Sequence, residues 1–230
     1  MTIYAKRRKK LLKNIKSDAY LVVDLARLMP KGIDFTSLYY LTGYRGEGVL
    51  IITEAKTILL ADERYCEMAK SQNSGDFSVH PAQGNYLSDI KEEIIKLKLK
   101  TISFTSNRIT YSLFNRIQEL TECELVPEED PIVKLRMIKD DEEIENILNA
   151  INIAETSLHE IVKRIKIGMT EKEIATMLDI SILQKGSETS FETIVASGEN
   201  CFNQHHLPGN RKIREEDFLL IDFGASYNEY

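Results

Sequence analysis

Short apolar runs alternate with helix-period segments through the first half of the chain, and that alternation leaves few folds open. Residues 20–24 read YLVVD, the composition of a buried strand. Residues 49–53 (VLIIT) and 57–62 (TILLAD) are two more, and the short Glu54-Ala55-Lys56 connection predicts a hairpin. Leu87, Ile90, Ile94 and Leu97 recur at helical spacing. A strand at 101–104, a helix near 111–120 and a strand at 124–126 continue the series. Strands that alternate with helices in this way predict a layered α/β domain built on a mixed sheet.

The segment Pro127-Glu128-Glu129-Asp130-Pro131 is polar and bounded by prolines, which predicts a domain boundary and two domains, 1–128 and 129–230. Beyond it, Ile144, Ile147, Leu148, Ile151, Ala154, Leu158, Ile161, Val162 and Ile165 recur every three or four residues. That is the single apolar stripe of one long helix over 140–166, with Gly168 as its stop. Thr170-Glu171-Lys172-Glu173 has the form of a capping box, in which hydroxyl and carboxylate satisfy free backbone amides, and opens a second helix that ends near Lys185-Gly186. Two strands follow, at 191–197 and 218–227, separated by a polar loop that holds His205 and His206.

Asp222 stands in the second of these strands, among Phe218, Leu219, Leu220, Ile221, Phe223 and Ala225. Side chains alternate on a strand, so Leu220, Asp222 and Gly224 share one face. The composition predicts burial, and an ionised carboxylate buried without a partner costs several kcal/mol. A cation must then stand against it, either Arg or Lys or a metal ion. Gly224, two positions on, predicts open space on the same face. His205 and His206 are exposed loop residues or, since imidazole donates hydrogen bonds and moves protons at neutral pH, members of a site that converges with Asp222. His80 and His159 read as structural.

Composition narrows the function classes. With 230 residues, 43% hydrophobic and 29% charged, the chain is ordinary for a globular protein. A net charge of −6 argues against a nucleic-acid partner. The basic run Lys6-Arg7-Arg8-Lys9-Lys10 reads as the solvated face of a first helix. No apolar run is long enough to span a membrane, and no apolar stretch follows the basic start, which argues against a signal peptide. Three scattered cysteines, Cys66, Cys123 and Cys201, suit the reducing cytoplasm and predict neither a disulfide framework nor a zinc cluster.

The segment ETIVASGENCFNQHHLPGNRKIREEDFLLIDFGASYNEY resembles the pita-bread metallopeptidases, the Xaa-Pro aminopeptidases and Xaa-Pro dipeptidases (prolidases), and more distantly the methionine aminopeptidases. KLRMIKDDEEIENILNAINIAE is similar to the start of that catalytic domain, and LYYLTGYRGEGVLIITEAKTILLADERY resembles the family's creatinase-like N-terminal domain. The fold so implied is an α/β creatinase-like domain followed by the first part of an α+β pita-bread domain.

The resemblance implies a metal-dependent exopeptidase that cleaves the bond before proline at peptide N-termini, acts on proline-containing peptides and forms a homodimer. By position in the motif, Asp222 matches the first of two metal-binding aspartates. His205 matches the loop histidine that hydrogen-bonds substrate and helps stabilise the tetrahedral intermediate, with His206 as its substitute. The family binds two divalent ions with two Asp, one His and two Glu, a set that suits Mn²⁺ or Co²⁺ and also accommodates Fe²⁺ or Zn²⁺. The resemblance places the other four ligands beyond Tyr230, so the 230-residue chain is expected to be inactive alone. Two other readings stay open: a non-catalytic peptide- or protein-binding module on the same fold, and a metal-free amidinohydrolase of the creatinase kind.

Overall fold

The computed structural model describes residues 1–25, 36–82 and 85–230. The chain divides into two units, Met1–Ile138 and Lys139–Tyr230. The first contains α1 (Ile3–Lys13), β1 (Ala19–Asp24), α2 (Thr36–Thr42), β2 (Gly48–Thr53), β3 (Thr57–Asp62), α3 (Cys66–Gln72), β4 (Ser78–Ala82), α4 (Tyr86–Lys96), β5 (Thr101–Thr105), α5 (Tyr111–Leu120), β6 (Glu124–Glu128) and α6 (Pro131–Arg136). Its six strands form one mixed sheet in the order β4-β3-β2-β1-β5-β6. The predicted hairpin is β2 and β3, antiparallel with Val49 opposite Leu60.

Both faces of this sheet are covered, which is why its central strands read as continuous apolar runs and not as alternation. Leu21, Val23, Ile51 and Ile58 pack with Ile90 and Ile94 of α4 and Leu113 and Ile117 of α5. Tyr20, Val22, Leu50 and Leu59 pack on the other face with Leu11 of α1 and Leu38 and Leu41 of α2. Ile132 of α6 joins this second cluster, so the proline-bounded stretch before α6 and α6 itself lie within the first unit.

The basic run on α1 departs from the solvated face expected of it. Arg7 and Arg8 are 5% and 4% exposed. Arg7 lies over the Tyr40 ring at 4.2 Å and donates to the Tyr40 carbonyl. Arg8 donates to the Leu41 carbonyl and pairs with Asp76 at 2.9 Å. A guanidinium can be buried when its donors find a carboxylate and carbonyls in this way. Lys6, Lys9 and Lys10 do face solvent.

The second unit contains α7 (Asp141–Val162), α8 (Glu171–Gln184), β7 (Glu188–Thr189), β8 (Ile194–Ser197), a 3₁₀ turn (Gly198–Phe202), β9 (Leu219–Asp222) and β10 (Ala225–Ser226). The capping box at Thr170 and Glu173 is present, and a second one, Asp140 with Glu143, opens α7. Its core joins Ile153 and Ile161 of α7, Ile174, Leu178 and Ile182 of α8, Val195 of β8 and Ile213.

Two expectations change here. The buried face of α7 runs through Glu143, Asn146, Ala150, Ile153, Ser157 and Ile161, while Ile144, Leu148 and Ile151 of the expected stripe are exposed. The polar members of that face have polar partners: Tyr230 Oη donates to Glu143 and Asn228 donates to Asn146. The helix also ends at Val162, where amides bond three residues back, Arg164 to Ile161, before Gly168 takes φ +90°. The long final strand is in fact two. β9 pairs antiparallel with β8, and after Phe223-Gly224 the chain changes partner, so that β10 pairs with β7.

Candidate active site

β9 sets the placement of Asp222. Leu219, Ile221 and Phe223 pack against the core cluster, as alternation requires, and Asp222 points to the opposite face opposite Ile194 of β8. That face is open. Asp222 is exposed, which corrects the expectation of burial. The apolar neighbours that suggested burial cover only their own side of a two-stranded sheet. No ion pair joins Asp222 to another described residue, so no described Arg or Lys neutralises it.

Gly224 also differs from expectation. The Ser190 amide donates to its carbonyl at 3.0 Å, and a Cβ at Gly224 would run into the Ser190 side chain. The glycine therefore permits close approach where the strand changes partner and does not mark an open site.

His205 and His206 follow the 3₁₀ turn and have different surroundings. His205 is exposed; its amide bonds to Asn203 Oδ1, and its ring makes no hydrogen bond to another described residue. His206 is tucked in, and its Nε2 stands 2.8 Å from Glu171 Oε2. No hydrogen bond joins either ring to Asp222.

Glu171, the first residue of α8, is fully buried and gathers donors from four positions. Oε1 accepts from the Ser197 amide and hydroxyl, both at 2.8 Å, and from Asn200 at 2.9 Å. Oε2 accepts from His206 and from the Gly209 amide at 3.2 Å. Burial pushes this carboxyl up, but the hydrogen bonds from Asn200, His206 and Ser197 outweigh it and bring its pKa to about 2. With the carboxylate ionised, His206 Nε2 must be the donor. The same helix end is closed from outside, because the amides of Glu171 and Lys172 donate to the carbonyls of Arg211 and Gly209.

Arg211 extends the network. Its Nη1 donates to Ser197 Oγ at 2.8 Å and its guanidinium grips Asp217 and Glu199. The hydrogen bonds from Arg211, then from the Arg214 amide, bring the Asp217 carboxyl to about 2. Hydrogen bonding to Arg211 likewise holds Glu199 below the usual carboxylate range. Neither Glu171 nor Arg211 stands out in the sequence. The only local signal for Glu171 is an acid in the first turn of a helix, since its partners are scattered from Ser197 to Gly209.

As a metal centre the described residues are a partial fit. Asp222 is a free, hard oxygen donor. Among the described residues no group of three or more His, Cys, Asp or Glu stands together as a metal site requires. The described residues therefore form no complete metal centre, and Asp222 is a single carboxylate open to a ligand. A separate cavity of about 810 Å³ in the first unit is lined by Arg8, Lys9, Lys56 and Asp76, among others, and includes neither His205, His206, Glu171 nor Asp222.

Residues 5–138 match the Creatinase/Prolidase N-terminal domain, and residues 145–230 match Metallopeptidase family M24. A Bacillus subtilis relative named as an uncharacterized peptidase, YqhT, is 31% identical over 85% of this chain and 56% of its own length. The crystal structure of an X-Pro aminopeptidase from Thermotoga maritima superposes with a TM-score of 0.83 at 33% identity, over 95% of this chain and 61% of the other. An Xaa-Pro dipeptidase from Bacillus anthracis superposes at 0.86 with 25% identity, over 98% and 62%. The chain thus spans little more than half the length of these relatives. The mixed sheet and the β8–β9 pair are the α/β creatinase-like and partial pita-bread architecture that the sequence implied.

Proposed function

Because the chain belongs to the family that joins a creatinase/prolidase N-terminal domain to an M24 metallopeptidase domain, we propose that it is part of a metal-dependent exopeptidase that hydrolyses the bond before proline at peptide N-termini. The observation that carries this reading is Asp222: an acidic side chain on the open face of β9 with no cation partner among the described residues. A carboxylate so placed is available to a divalent ion. The names of the Thermotoga and Bacillus structures support the proline-directed branch.

Asp222 would be one ligand of a pair of divalent ions, Mn²⁺ or Co²⁺ by the hardness of the donor. When bound, such ions supply Lewis-acid polarisation of the scissile carbonyl and an activated water. The chain's own part is twofold. Asp222 fixes a hard oxygen on a strand whose other face is anchored in the core. His205 offers a ring uncommitted to the fold, able to donate to the carbonyl oxygen as charge develops there. His206 cannot serve equally, because its donor is already bound to Glu171. The reading includes a homodimer in a reducing compartment, to which the three free cysteines are suited.

The test uses a polypeptide that carries the whole M24 domain. With Mn²⁺ it should release the first residue of Xaa-Pro peptides, prefer them to Xaa-Ala peptides and lose activity to a chelator. Peptide binding without turnover would favour the non-catalytic module.

A further inference from the structure

His206 and Glu171 are the unexpected pair in this region, and neither hydrogen-bonds to Asp222. Their contacts converge on one segment, the turn and loop from Gly198 to Gly209 that carries His205. One end of this segment is tied by Ser197 and Asn200 to Glu171 Oε1, and the other by His206 and Gly209 to Oε2. A single buried carboxylate thus bridges both ends of the loop. It sits on α8, whose Leu178 and Ile182 are fully buried in the core.

The bridge continues toward β9. Ser197 Oγ donates to Glu171 and accepts from Arg211, and Arg211 clamps Asp217, just ahead of β9. The Gly198 amide donates to the Phe218 carbonyl at 2.9 Å. The loop of His205 and the strand of Asp222 are therefore referenced to one polar frame. Between the two fixed ends, Phe202, Asn203, Gln204 and His205 face solvent.

We propose that Glu171 and His206 are positioning residues: the carboxylate–imidazole pair locks the loop in one conformation and thereby sets where the neighbouring His205 ring stands. The value of that placement for catalysis rests on the peptidase reading; the lock itself does not. Geometry of this kind matters because a buried, fully satisfied network has one arrangement, whereas a solvated loop has many.

The 230-residue chain is sufficient for the test, with ¹⁵N-labelled histidine and amide hydrogen exchange as readouts. In the unaltered chain, His206 should show a single tautomer protonated at Nε2, and the Gly209 and Ser197 amides should be protected. Glu171→Gln keeps the side-chain length but removes the second acceptor oxygen. It should shift the His206 ring signals, speed Gly209 exchange at least about tenfold and sharpen the His205 ring resonances toward those of a free side chain. The amides of Leu178 and Ile182 report whether the fold survives. Should Glu171→Gln unfold the unit, His206→Ala carries the test, because His206 lies on the loop and not in the apolar core. It should reproduce the loosening of Gly209 and His205, and His206→Gln, which retains a donor, should restore much of the protection. If His206→Ala leaves Gly209 exchange and His205 ring relaxation within twofold of the unaltered chain, the lock is refuted. These readouts require no turnover, so failure of the peptidase reading leaves their outcome untouched.

Discussion

Arg211 and Asp217 form a two-pronged ion pair, Nη1 to Oδ2 at 2.5 Å and Nη2 to Oδ1 at 3.0 Å, with the backbone of Gly198 pressed against it. Gly198 has φ +50°, and a Cβ there would meet both the guanidinium and the carboxylate. The pair and the glycine thus occupy one space.

Gly198→Ala should therefore cost more than backbone strain alone, about 1–3 kcal/mol in urea unfolding. Gly186→Ala is the control, because Gly186 has φ +77° but nothing within 4 Å of an added Cβ. If the two substitutions cost the same, the packing of Arg211 and Asp217 against Gly198 is unimportant.

Acid should weaken the second unit through Glu171. Its folded pKa of about 2 lies below the ordinary 4.5. A depressed carboxyl stabilises the fold at pH above its unfolded value, and that contribution disappears as pH falls through the folded one. The loss should run from about pH 4.5 down to about pH 2. Glu171→Gln should be less stable at pH 7 and show a flatter dependence across that window. Denaturation midpoints against pH give the slope, and parallel curves for the two proteins would remove Glu171 from the account.

Arg8 offers a test of the buried basic run. Its truncation to Ala leaves Asp76 without its cation and the Leu41 carbonyl without a donor, at a cost of about 3–5 kcal/mol. Lys9→Ala, one residue on and exposed, should change stability by no more than about 0.5 kcal/mol. Equal small effects on the denaturation midpoint would return the run to a solvated face.

These residues show which parts of the structure are written locally in the sequence. β2 and β3 were legible because a sheet covered on both faces demands unbroken apolar runs, and three residues between them leave only a hairpin. β4 was not, because His80 and Pro81 disguise it; an edge strand tolerates the proline. Of the apolar residues around Asp222, Leu219 and Ile221 pack half-buried against the core, short of the burial expected, and their character says nothing of the other face of the strand. Arg7, Arg8 and Glu171 escaped for one reason. Their burial depends on partners far away in the chain, Tyr40, Leu41 and Asp76 for the arginines and Ser197 to Gly209 for the glutamate. The choice between His205 and His206 came from the family motif; the structure adds a physical difference between them, since one ring is engaged with Glu171 and the other is not.

His205→Ala, in a polypeptide carrying the whole catalytic domain, should lower kcat about 100- to 1,000-fold, the usual effect of removing one donor to a developing oxyanion. KM should change less, and the melting temperature should hold, because the ring is exposed and outside the core. A loss confined to KM would make His205 a ground-state contact only.

The most direct test is the hydrolysis of an Xaa-Pro dipeptide in the presence of Mn²⁺ by that same polypeptide and its Asp222→Asn variant. Asp222 is exposed and unpaired among the described residues, so without metal the variant should melt as the parent does. Loss of one metal ligand should nonetheless reduce turnover at least about 100-fold and weaken metal binding alongside it. Unchanged turnover by a folded Asp222→Asn protein would contradict the account.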